Sequence, residues 1–158
     1  MDGFRYVSEN TIEHLSLHDC GCSVMRFDGD DLIFEMQWME VLATHPDNPF
    51  PQAHQSGEGR IILHGAHIER GELIKGDKSS PIDKTAQVKD FEILVLDEEK
   101  SDGGFVLSFF GVFSGAEDAD FIEMKIRYSS STVMFSELGE VSWFEDFHKQ
   151  ELPVENKI

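Results

Sequence analysis

Residues 20–42 read CGCSVMRFDGDDLIFEMQWMEVL, two runs of alternating side chains on either side of a turn. In the second run Leu32, Phe34, Met36 and Trp38 fall on one face, and Glu35 and Gln37 on the other. A strand with one buried face requires that alternation, because successive side chains project to opposite sides of the sheet. Between the runs, Asp28-Gly29-Asp30-Asp31 has the composition of a tight turn. The segment predicts a β-hairpin, with the first strand over Cys20–Phe27 and the second over Leu32–Leu42.

The same period recurs through the chain. Gly59–Glu69 reads as a strand with Ile61 and Leu63 on one face and Ile62, Ala66 and Ile68 on the other. Gln87–Asp97 places Phe91, Ile93 and Val95 together. Phe105–Ser114 sets Phe105, Leu107, Phe109 and Phe113 against Val106, Phe110 and Val112. Phe121–Tyr128 turns Ile122, Met124, Ile126 and Tyr128 inward, and Glu123, Lys125 and Arg127 outward. Thr132–Ser136 and Glu140–Phe144 read as a last pair around Glu137-Leu138-Gly139. Ser8–Leu15 is the one candidate for a short helix, with Ser8 as N-cap. Thr44–Gly57 contains Pro46, Pro49 and Pro51 and cannot be a central strand, since proline donates no ladder hydrogen bond. Gly71–Lys84 reads as a polar loop. The expectation is an all-β, mainly antiparallel sandwich or partly open barrel of about seven or eight strands. Residues 1–158 read as a single domain, with 148–158 as a frayed tail.

Composition sets the chemistry of the surface. The chain has 31 acidic residues against 13 Lys and Arg, a formal charge of −18, yet 40% of its residues are hydrophobic and 13 are Phe. Disordered acidic chains lack such apolar content, so the charge clothes a folded body. A field of that sign argues against binding to nucleic acid or to an anionic membrane, and favours a basic protein as partner. Met1–Asn10 has neither a basic start nor an apolar run and does not read as a signal peptide. Cys20 and Cys22 lie one residue apart on one predicted strand, where a disulfide between them would be strained. They read as reduced thiols in a cytoplasmic protein.

Candidate site residues follow from ligand chemistry. His14, His18, Asp19, Cys20 and Cys22 all bear groups that bind zinc, though their spacing matches no established ligand pattern and there is no second cysteine pair. His64 and His67 would point to opposite faces of one strand unless Gly65 bulges; His45 and His54 lie in the proline-rich loop. The acidic turns Asp28–Asp31 and Glu117-Asp118-Ala119-Asp120 offer oxygen ligands but lack the calcium-loop pattern, and read as solvated turns. No nucleophile elbow, phosphate loop or dinucleotide fingerprint is present, and no cofactor is implied. Trp38, Trp143, Phe144 and Phe147 are candidate anchors for a partner, or core.

The run Leu17-His18-Asp19-Cys20, followed by Phe27-Asp28-Gly29-Asp30-Asp31-Leu32-Ile33-Phe34, resembles the opening of small bacterial β-rich domains, some of them associated with toxin–immunity systems. The resemblance covers Leu17–Leu42 and implies an intracellular, non-enzymatic binding role with no catalytic residues. The leading expectation is an acidic protein-binding domain, an immunity-type inhibitor of a basic partner. One alternative is a metal-dependent or small-molecule enzyme using His14, His18, Asp19 and Cys20 with His64 or His67. Another is a structural domain that forms homo-oligomers through its edge strands.

Overall fold

The computed structural model describes residues 3–113 and 119–145. The predicted first hairpin is present, but its second strand ends at Met36 and does not continue to Leu42. Strand β3 (Gly21–Asp28) pairs antiparallel with β4 (Asp31–Met36), and Asp28 faces Asp31 across Gly29, whose φ of 63° suits the residue without a Cβ. Upstream lie β1 (Tyr6–Glu9), a single 3₁₀ turn over Ile12–His14, and β2 (Leu15–Ser16). The short helix expected over Ser8–Leu15 is thus reduced to that turn. Ser8 belongs to β1, and its hydroxyl bonds Thr11 at 2.7 Å without capping a helix.

Downstream are β5 (Glu40–Val41), β6 (His54–Ser56), β7 (Gly59–His64), β8 (His67–Lys75) and β9 (Lys78–Pro81). Then come β10 (Gln87–Ser101), β11 (Gly104–Phe113), β12 (Phe121–Tyr128), β13 (Ser130–Phe135) and β14 (Leu138–Val141). Ten strands form one antiparallel sheet in the order β1-β13-β7-β4-β3-β10-β11-β12-β8-β9, and β14-β6-β5-β2 form a smaller one. The fold is all-β and open, with β1 and β9 as the edges of the large sheet.

Among the described residues fourteen strands stand where seven or eight were expected, and bends account for part of the difference. The single strand predicted over Gly59–Glu69 breaks at Gly65, which has a φ of 62°. Opposite it, Ser129 separates β12 from β13, with Ser129 N–H donating to the His64 carbonyl at 2.9 Å. Residues 59–75 and 121–135 therefore make one long ribbon that bends once. One half joins β4, and the other joins β11. The bend brings the inner faces together, so that Phe34 of β4 meets Phe109 of β11 edge-on at 5.7 Å and Phe91 stacks on Phe109 at 5.8 Å. The void between the halves, walled by Ile12, Leu17, Phe34, Ile61, Ile93, Leu96 and Leu107, is only about 10 Å³.

Three further expectations are corrected. The polar loop predicted over Gly71–Lys84 is largely the β8–β9 hairpin, turning at Gly76-Asp77; an edge strand facing water needs no apolar alternation. Thr132–Ser136 does not pair with Glu140–Phe144: β13 lies between β7 and β1, and β14 pairs with β6 of the proline-rich segment. Val95 does not join Phe91 and Ile93 inside. The β10–β11 register slips by one residue between Ile93 and Val95, which turns Val95 outward (62% exposed) and Leu96 toward the core. The predicted tail, Phe147, and Glu117 and Asp118 lie outside the described residues.

Phe109 touches rings from both halves of the bent sheet. Phe109→Ala is expected to cost about 3–5 kcal/mol of unfolding free energy by urea titration, the range for truncating a buried aromatic.

Candidate functional site

The Leu-His-Asp-Cys run is organised by the slip in β10. The bulged Leu94 carbonyl accepts a hydrogen bond from His18 Nδ1, which fixes the proton on that nitrogen. Asp19 N–H donates to the Ile93 carbonyl at 2.6 Å, and Ile93 N–H donates to that of Cys20 at 2.9 Å. Asp19 adopts a φ of 66°, a conformation that Asp tolerates better than most residues with a Cβ. Leu17 and Cys20 point into the core. This run is a clamp on β10.

The remaining candidates disperse. His14 Nδ1 bonds Thr44 Oγ1 at 2.9 Å. His45 is buried and held below the ordinary imidazole range by desolvation; its Nδ1 accepts from Asp47 N–H at 3.0 Å. His54 donates from Nδ1 to the Gly139 carbonyl at 2.8 Å and stacks on Phe50. His67 is exposed on β8. Cys20 and Cys22 are free and wholly buried. Desolvation first, and then the nearby Glu40, push Cys20 up to about 12, and burial raises Cys22 further. Among the described residues, no three His, Cys, Asp or Glu side chains group around a position for one metal ion.

One histidine sits in a line that the sequence did not disclose. His64 Nδ1 meets Asp31 Oδ1 at 3.1 Å, and its Nε2 meets Thr132 Oγ1 at 2.7 Å. Thr132 donates in turn to Glu9 Oε2 at 2.9 Å. Asp31 belongs to the acidic turn, so part of that turn serves the sheet. The line crosses β4, β7, β13 and β1 on the outer face. A carboxylate, an imidazole and a hydroxyl in series have the connectivity of a proton relay, but Thr132 is only 6% exposed and already donates to Glu9. Its chemistry is that of a strap that holds edge strand β1.

A second polar cluster lies beneath Trp38. Glu40 is fully buried. Its Oε2 accepts from Trp38 Nε1 at 3.0 Å and Gln55 Nε2 at 3.3 Å, and its Oε1 has no partner. The indole, anchored from below, forms a wall of an open depression of about 230 Å³ together with Gly21, Gln37, Phe91 and Val112. Asp90 and Glu92 also line it. Among the described residues neither carboxylate has a lysine or arginine within ion-pair distance. Most basic groups elsewhere are neutralised: Arg26 and Arg60 flank Glu35 at 3.1 and 2.9 Å, Lys84 pairs with Asp30 at 2.7 Å, and Arg127 pairs with Glu69 at 2.7 Å.

The clamp links this depression to exposed aromatic surface. Gly21 pairs with Glu92, and Asp19 and His18 follow along β10. The Trp143 ring lies 6.2 Å from His18 and 5.5 Å from Phe144, with Trp143 54% exposed. Trp38 and Trp143 therefore mark the two ends of one strip with Glu92, Asp19 and His18 between them. No spacing rule would have found this strip, because its residues come from four separate stretches of chain.

Two outcomes are expected from these geometries. Native protein at neutral pH should react with a thiol reagent about a hundredfold or more slowly than denaturant-unfolded protein, since burial suppresses both thiolates; fast labelling of the folded chain would contradict the placement of Cys20 and Cys22. Thr132→Val should cost about 1–2 kcal/mol by chemical unfolding, because it removes the hydroxyl shared by His64 and Glu9.

Comparisons with protein-family models, with curated proteins and with solved structures gave no match.

Proposed function

We propose that this chain is a non-enzymatic protein-binding domain that captures a basic partner, in the manner of an immunity-type inhibitor. The observation that carries the reading is the depression at Trp38. It joins an aromatic wall to two carboxylates, Asp90 and Glu92, that no cation of the chain neutralises among the described residues. An arginine or lysine side chain has the matching chemistry: its alkyl stem packs on the indole and Phe91, its charge is attracted to the ring face, and its head meets the carboxylates. Trp143 and Phe144 add an exposed apolar contact at the far end of the strip.

The whole-chain charge of −18 supports the same reading from a distance. A negative field raises the rate at which a positive surface is met, and that advantage falls as salt screens it. Toxins that act on nucleic acid present positive sites, and an acidic protein is suited to occupy one.

Isothermal calorimetry with a short peptide alternating arginine and glycine tests the site. Binding should be measurable at low ionic strength and weaken by about tenfold or more in Asp90→Asn/Glu92→Gln, equivalent to about 1.4 kcal/mol or more. The same charge change made remotely, in Glu58→Gln/Asp77→Asn, should leave the affinity within about twofold. Equal loss in both variants would reduce the effect to bulk charge and overturn the site.

A further inference from the structure

The outer face of β10, β11 and β12 presents a second surface, which meets the depression at Val112. Cross-strand register lays its side chains in columns. On β11 the outward column is Val106, Ser108, Phe110 and Val112, without a charge. Opposite Val106 and Ser108, β10 contributes Glu99 and Asp97. On the other side of the same two residues, β12 contributes Arg127 and Lys125. Along Val106 and Ser108 an uncharged spine therefore runs between an acidic pair and a basic pair; beside Phe110, β12 contributes Glu123, which pairs with Arg70 at 3.1 Å. Farther along, Val95 is 62% exposed and Phe121, 37% exposed, stacks on Phe110 at 5.3 Å. An open depression of about 280 Å³ lies among Val95, Asp97, Phe110 and Lys125.

The charge distribution selects the occupant. Residues 67–81 and 120–128 hold five Lys and Arg and five Asp and Glu, whereas the rest of the chain holds eight against 26. Two copies of so acidic a body repel one another over most orientations. They do so least where this balanced region borders an apolar spine. A two-fold axis along β11 lays the spine on its own copy. The same axis places Asp97 of each protomer against Lys125 of the other, whose own-chain partner Glu69 is 3.9 Å away, and Glu99 against Arg127, which shares its charge with Glu69 at 2.7 Å; this is the self-complementarity an isologous interface demands. Edge pairing through β9 is the weaker route to association, because β9 carries Lys78 and Pro81, which blunt that edge.

We infer that the outer face of β10–β12 is a homodimer interface, in which the Val106–Val112 column packs against its two-fold mate and the flanking acidic and basic pairs meet across it. The two Asp97–Lys125 contacts set the register, and Phe110 lies at the centre.

Sedimentation equilibrium of the full chain from micromolar to millimolar concentration tests this. A concentration-dependent dimer is expected, strengthening as moderate salt screens the repulsion between the bodies. Phe110→Asp should weaken it by about tenfold or more, with circular dichroism confirming that the fold is kept. Asp97→Lys alone should weaken the dimer, and Asp97→Lys combined with Lys125→Asp should restore it, a rescue that a merely destabilised monomer cannot give. A monomer at every concentration overturns the inference. So does a dimer indifferent to Phe110→Asp, or a monomer in which Val95 and Phe110 resist hydroxyl-radical labelling, since the chain would then cover this face itself.

Discussion

One displaced carbonyl governs both surfaces of interest. Leu94 is extruded from the β10 ladder, and His18 holds its oxygen. Before that point Phe91 and Ile93 face inward; beyond it Val95 and Asp97 face out, and Leu96 turns toward the core. Without the extra residue, β10 could not satisfy both ends: its first half would bury apolar groups while its second half drove Asp97 and Glu99 into the interior, at a cost no surrounding contact offsets. The bulge lets a 15-residue strand belong to one sheet and still change phase.

That single phase change explains what could be read from residues alone and what could not. The hairpin over residues 21–36 was legible because local alternation and a Gly-Asp turn agree; the expected continuation to Leu42 fails, since the chain leaves the large sheet after Met36 and Glu40–Val41 joins the smaller one. β11 and β12 were legible for the same reason, down to the inward set Ile122, Met124, Ile126 and Tyr128. Val95 was misread because strict alternation assumes an unbroken register, and nothing in Ile93-Leu94-Val95 marks a slip. The β8–β9 hairpin was missed because an edge strand carries little apolar signal. The pairing of β13 with β7 depends on a bend at Gly65 and Ser129, residues more than 60 positions apart, which no window captures.

The polar residues divide along the same line. Histidines and carboxylates close together in sequence were natural candidates for a common centre, yet His14, His18 and Cys20 turn to three different partners. The contacts that do form join distant stretches: Asp31 with His64, Thr132 with Glu9, and Gln55 with the Glu40 carboxylate that also holds Trp38. Three of the apparent site residues, His18, Asp19 and Cys20, prove to be the fastening of β10. The surfaces left for binding then fall on opposite chemistry. One is a strip of unneutralised carboxylate and indole, and the other is an apolar spine bordered by the charge-balanced segments 67–81 and 120–128.

The bent ribbon of residues 59–75 and 121–135 has a consequence for how the molecule is made. A ribosome releases β7 long before β13, the neighbour that completes it, and the residues between them, which supply β8 to β12, emerge first. Until then the flank of β7 stands open as unpaired backbone beside Ile61 and Leu63. Such late closure slows folding and lengthens exposure to mispairing, so a nascent chain interrupted near residue 120 would leave a sticky, half-built sheet.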